Sequence, residues 1–181
     1  MRRTLALPLV LSLSLGLLSG CAPDTQAQEL TAQPVSVQPA GSPAVDQALT
    51  SFGLSLLQSA REAESGPVLL SPLSAALALS MAANGADGDT LAQFETILGG
   101  GVPLDELNAA CAQLLSDYGD LGGSTECLIA NSLWTDPEGM IREDFIGKCR
   151  GIFDAQVFSQ ELSAPSVVPA VNGWVSEHTN K

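Results

Sequence analysis

The stretch Pro72 to Ala83, PLSAALALSMAA, constrains the fold most, because no residue in it is charged. Ser71-Pro72 marks its start: a serine hydroxyl accepts from first-turn amides, and proline fits the first helical position. Leu73, Leu77, Ser80 and Met81 form the inner face, and Ala and Leu occupy much of the rest. A helix with no polar side has to be enclosed by other elements. Asn84-Gly85 ends it.

The flanking sequence supplies candidates for that enclosure. Val45, Leu49, Phe52 and Leu56 step by four, three and four along one face of an amphipathic helix, which stops near Ser65-Gly66-Pro67. Val68-Leu69-Leu70 is expected to be a short strand. After the Asp87-Gly88-Asp89 turn, Thr90 and Gln93 are expected to form a capping box on a helix closed by Gly99. Leu104, Leu107, Cys111, Leu114 and Tyr118 define a fourth helix, with Asp105 and Glu106 at its positive end. Cys127 to Trp134 reads as a buried strand, Ile141 to Cys149 as a short helix with Phe145 inward, and Ala155 to Phe158 as another strand. Val171, Trp174, Val175 and His178 share a face of a last helix beginning near Pro169, with His178 at its solvent-facing end. The fold class is α+β: a helical cluster first, then strands alternating with helices. Two such strands are too few for a stable sheet, and the sequence stops in mid-helix at Asn180-Lys181, so an incomplete domain is expected.

Composition narrows the function. The chain has 20 Asp+Glu against 7 Lys+Arg, a formal net charge of -13. Phosphate backbones need cations, so a nucleic-acid partner is not expected. His178 is the sole histidine, too few for a His-based metal site or a Ser/His/Asp hydrolase. No glycine-rich phosphate loop follows a strand, so neither a cofactor nor a small-molecule substrate is expected. Cys111, Cys127 and Cys149 lack CxxC spacing and read as small buried hydrophobes, with a single disulfide among them open in an oxidising compartment.

Residues 1–20 read as a leader: Met1-Arg2-Arg3, then an uncharged apolar run to Gly20. The run closes Leu18-Ser19-Gly20-Cys21, which resembles a bacterial lipobox. That resemblance implies acylation of Cys21 and export to the cell envelope or outer surface, with the protein held on a membrane by its lipid. Loss of Arg2 and Arg3 with the leader makes the remainder still more acidic, so anionic headgroups repel it and the lipid must anchor it alone. Residues 21–44 contain four prolines and four glutamines and no aromatic residue after Cys21, the composition of a flexible tether.

From residue 45 onward the motifs resemble the serpins, the serine-protease inhibitors. Val68 to Ala86, with Thr90, Gln93 and Leu98-Gly99, is similar to two successive serpin helices, and Phe52 to the phenylalanine of the preceding one. Leu128-Ile129-Ala130-Asn131 resembles a central-sheet strand, and Phe145 with Phe153 to Ala155 the region after it. Val171-Asn172-Gly173-Trp174-Val175 with Thr179 resembles the helix lying across that sheet. Pro67 departs from the pattern, which has asparagine there. Residues 45–181 are thus expected to be the N-terminal part of a serpin domain, without its reactive-centre loop. The resemblance implies an inhibitor of serine-type endopeptidases, with cysteine proteases as a further target class. It is not an enzyme: the cleaved loop inserts into the central sheet and traps the protease. Ser71 and Ser74 match the serines beneath the parting strands, and Asn131 and Asn172 are expected to tie strand and helix. Without the loop the chain alone is expected to be inactive. The alternatives are a non-inhibitory surface-binding lipoprotein or a non-functional serpin remnant.

Overall fold

The computed structural model describes residues 26–179, so the leader and Cys21 lie outside the described residues. The elements run β1 (Gln28–Leu30), α1 (Pro43–Ala63), α2 (Pro72–Ala83), α3 (Gly88–Gly99), α4 (Leu104–Gly119), β2 (Asn131–Thr135), α5 (Glu143–Phe153), β3 (Ala155–Ser159) and α6 (Val167–His178).

Helix α2 lies at the centre of the helical cluster. Ser71 caps it, Pro72 opens it, and Ala76, Leu77, Ser80, Met81 and Ala83 are buried. Helices α1, α3, α4 and α5 all contact it. Val45, Leu98, Leu107, Cys111 and Phe153 close the core around Leu77. Full burial of a leucine side chain is worth about 1.5–3 kcal/mol. Ser42 caps α1, its hydroxyl accepting from the Val45 amide and donating to Glu106 of α4 at 2.7 Å. Helix α3 ends at Gly100, whose φ of 68° is left-handed and whose α-hydrogens face the Ala44 carbonyl. The α4 helix has no side-chain cap of its own, and Glu95 of α3 accepts from its Leu104 amide at 2.8 Å.

One buried polar link crosses the cluster. The side-chain amides of Asn84 and Asn108 exchange two hydrogen bonds, at 2.8 and 2.9 Å, joining the end of α2 to α4. Asn108 is 3% exposed, so its amide would be desolvated without this partner, whereas half-buried Asn84 also donates to the Ser80 carbonyl at 3.0 Å.

The sheet order is β1-β3-β2. Strands β2 and β3 are parallel, joined through α5, with Asn131 opposite Ala155 and Trp134 opposite Phe158. Those two rings stack with centroids 4.4 Å apart. Strand β1 runs antiparallel to β3, Leu30 facing Val157.

Strand β1 corrects the tether expectation for residues 28–44. Leu30, Ala32 and Val37 pack on the core, the Val35 amide donates to the Gly147 carbonyl, and Ala40 donates to Ala109. The reason is tertiary: open sheet edge and helix backbone accept a segment whose own composition could not form a core. Other expectations change too. Val68–Leu70 forms no strand, and Leu69 is fully exposed, because no neighbouring strand lies beside it among the described residues. The strand expected from Cys127 begins only at Asn131, where β3 supplies a partner. Asp87, not Thr90, caps α3, its carboxylate accepting from Gly88 at 2.7 Å, since a charged acceptor lies earlier in the chain. Helix α5 runs from Glu143 to Phe153, later than expected, and α6 starts at Val167, with Pro169 within its first turn.

Two substitutions probe this packing by urea unfolding. Leu77→Ala is expected to lower stability by about 2–5 kcal/mol through an unfilled cavity. Asn108→Ala should cost about 1–3 kcal/mol by removing the donor to the Asn84 side-chain carbonyl. An unchanged midpoint for Leu77→Ala would contradict α2 as the enclosed centre.

Candidate functional site

The residues singled out by sequence fall on three parts of the fold. Ser71 and Ser74 occupy the first turn of α2. The Ser71 hydroxyl accepts from the Ser74 amide at 3.3 Å, and the two hydroxyls lie 2.9 Å apart, sharing a hydrogen bond. Both residues are exposed, as is Leu69 just before them. This end of the helix therefore presents two short, mutually bonded hydroxyls to solvent. Among the described residues no base is hydrogen-bonded to either hydroxyl, so nothing there activates them as nucleophiles.

Asn131 opens β2 and is half-buried. Its amide donates to the Phe153 carbonyl at 2.8 Å, at the C-terminal end of α5. Carbonyls in the last helical turn lack partners within the helix, so this bond satisfies one of them. It also holds the start of β2 beside the α5–β3 junction, where Asp154 adopts a left-handed φ of 48°. Asn131 thus links a strand to α5. Asn172 does not join it: it is exposed on α6, and α6 is tied to the sheet by a different pair. The Trp174 indole donates to Gln156 of β3. Sequence reasoning did not find Gln156. The alternation of inward Ala155 and Val157 with Gln156 on the other face was the available signal.

His178 is half-buried, contrary to the solvent-facing position expected. Its ring stacks on Trp174 at 4.3 Å between centroids, and its Nδ1 lies 2.7 Å from the Trp174 carbonyl oxygen. One turn of helix separates the two, so stacking competes with solvent for the imidazole. The Asn84–Asn108 pair also escaped sequence reasoning, since nothing in the spacing of two asparagines marks them as partners. Among the described residues no three His, Cys, Asp or Glu side chains come together as a metal-binding group. The arrangement is one of hydrogen bonds that tie element junctions together.

The geometry fits a known architecture. The sequence profile described as Serpin (serine protease inhibitor) matches residues 47–181. The chain belongs to the serpin family. Neuroserpin of Gallus gallus is 33% identical over 130 residues, covering 68% of this chain and 30% of the relative. The plasma serine protease inhibitor of Bos taurus is 30% identical over 116 residues, covering 62% and 29%. Among solved structures, the native state of the thermophilic serpin tengpin superposes with a TM-score of 0.72 at 30% identity, over 86% of this chain and 40% of that one. A loop C-sheet serpin polymer gives 0.69 at 30% identity, over 84% and 40%. This serpin chain therefore spans about 30% of the length of these curated relatives. In fold terms it is a partial serpin domain, with six helices and a small three-stranded sheet among the described residues. The family is one of protease inhibitors, not of enzymes.

The cysteines of this serpin differ in environment. Cys111, Cys127 and Cys149 are all free thiols, the first and last buried. Burial raises the Cys111 thiol, with the Ser80 hydroxyl beside it acting the other way. Burial pushes Cys149 up to about 11. Both remain protonated, and so unreactive, at neutral pH. Timed alkylation at pH 8 with mass mapping is expected to modify half-buried Cys127 first, and Cys111 and Cys149 only on unfolding. Rapid native-state labelling of all three would contradict the packed core.

Proposed function

We propose that residues 45–181 are the N-terminal part of an exported, lipid-anchored bacterial serpin that restrains serine-type endopeptidases by loop insertion. The carrying observation is the family match over residues 47–181. The parallel β2–β3 pair, with α6 tied to it through Trp174 and Gln156, supports it as the start of a sheet that serpins open. In this reading Ser71 and Ser74 lie where strands part. Their short side chains trade hydrogen bonds between each other and the moving backbone. Asn131 keeps the α5–β3 junction fixed while the sheet changes. Asn172, on the outer helix, carries no load in the state described.

The anchoring half of the proposal rests on Leu18-Ser19-Gly20-Cys21 closing a basic-then-apolar leader. Acylation of Cys21 attaches enough hydrocarbon to hold an acidic domain on a bilayer that its surface charge would leave. Among the described residues no helix is long and apolar enough to cross a membrane.

A second reading, a serpin remnant without inhibitory function, is favoured by one observation. Leu54, Leu57 and Leu69 are exposed beside a cleft of about 420 Å³ between α1 and residues 68–72. Contiguous apolar surface of this kind calls for cover. The two readings separate in the source cell. After challenge with chymotrypsin-like and subtilisin-like proteases, an antibody to residues 45–179 is expected to detect an SDS-stable product enlarged by the protease. The isolated 181-residue polypeptide, spanning 30% of a relative such as neuroserpin, is expected to form none. No adduct in the cell with any protease favours the remnant.

Expression in a bacterial host with radiolabelled palmitate tests the anchor. The wild type is expected to incorporate label and sediment with membranes, and Cys21→Ala to do neither. Equal labelling of both would overturn this part of the proposal.

A further inference from the structure

The N-terminal strap, residues 28–37, lies upstream of the residues matched by the serpin profile, yet it is seated on the body at several points. Strand β1 closes one edge of β3, with Gln28 opposite Ser159 and Leu30 opposite Val157. The chain then crosses α5 at Gly147 and Gly151, one helical turn apart on the same face. A β-carbon at Gly147 would stand 2.5 Å from the Gln33 carbonyl oxygen, and one at Gly151 would overlap the Val35 backbone. No real β-carbon tolerates either approach. The two glycines therefore cut a groove one backbone deep, and the Val35 amide donates to the Gly147 carbonyl in it at 2.9 Å. Leu30, Ala32 and Val37 point into the core on either side of the crossing.

The geometry points to a peptide-binding site formed by the β3 edge and the Gly147–Gly151 face of α5, filled in cis by residues 28–37. Its ligand class is an extended, nearly uncharged segment. Backbone groups pair with the strand edge, and small or aliphatic side chains at alternating positions fill the pockets. The resident segment, Gln-Glu-Leu-Thr-Ala-Gln-Pro-Val-Ser-Val, meets this description with Glu29 its sole charge. Filling the site seals an edge that would otherwise template pairing with another chain. The strap is thus an exchangeable guard strand, covalently retained through exposed Ala40 and Gly41, where a β-carbon on Gly41 would meet open space.

The test uses the full chain with a specific protease site inserted between Ala40 and Gly41. After nicking, the upstream fragment is expected to stay with the body on gel filtration. Excess fluorescein-labelled peptide of residues 26–40 then exchanges into the site, read by polarisation. The un-nicked chain should take up at least tenfold less peptide, because its groove is filled. A nicked Gly151→Val body should bind at least tenfold more weakly. Should that variant fail to fold, the unaltered nicked body is titrated with a Leu30→Asp peptide, and a tenfold loss is again expected. Release of the fragment on nicking with helicity unchanged would overturn the site. So would equal uptake by the un-nicked chain, or equal affinity for Gly151→Val or the Leu30→Asp peptide.

Discussion

The helical half of this fold is arranged around the buried face of α2. A helix this apolar gains stability by covering its sides, and four other helices cover the Ala76, Leu77, Ser80 and Met81 face here. Ser74, Ala78 and Leu79 on the opposite side stay exposed, short of the full enclosure expected from composition. Ser42, Glu95 and Asn84 follow from that requirement. Each supplies a hydrogen bond where helices crowded around α2 leave backbone or amide groups without water. The buried thiols of Cys111 and Cys149 belong to the same packing, as apolar fillers rather than chemistry.

The outer helix hangs on fewer contacts than the sheet beneath it. Helix α6 has no fully buried residue and leans on the sheet through Trp174. Strands β2 and β3 hold together through their parallel ladder, the Trp134–Phe158 stack and the Asn131 bond to α5. Strand β3 is part of the core through buried Ala155 and Val157, so the lightly held element is the outer helix alone. The polar residues of interest sit at element junctions. Their hydrogen bonds hold the start of α2, the α5–β3 junction and the contact of α6 with the sheet.

What the sequence disclosed depended on the range of the interaction. Helix α2 was legible because Ser71, Pro72 and the apolar run act within a few residues of one another. Strand β3 was legible because its alternation is local and both neighbours exist. Val68–Leu70 has the same strand-like composition, but a strand needs a partner, and composition does not report one. The strap failed in the opposite direction. Its prolines and glutamines describe how it behaves alone, while its burial is determined by Gly147 and Gly151, more than a hundred residues later. The Asn84–Asn108 link was hidden likewise, since no spacing rule joins two amides on different helices. Ser71, Ser74, Asn131 and Asn172 were nominated by family resemblance. Their local chemistry would have marked only Ser71, as a cap.

Hydrogen–deuterium exchange resolved along the whole chain tests the central claim most directly. The slowest exchange is expected in Ala76 to Ala83 of α2, with α6 opening well before it and Leu30 and Val35 protected above a free peptide. Exchange of α2 amides as fast as those of α6, with residues 28–37 unprotected, would contradict an enclosed helix at the centre of the fold.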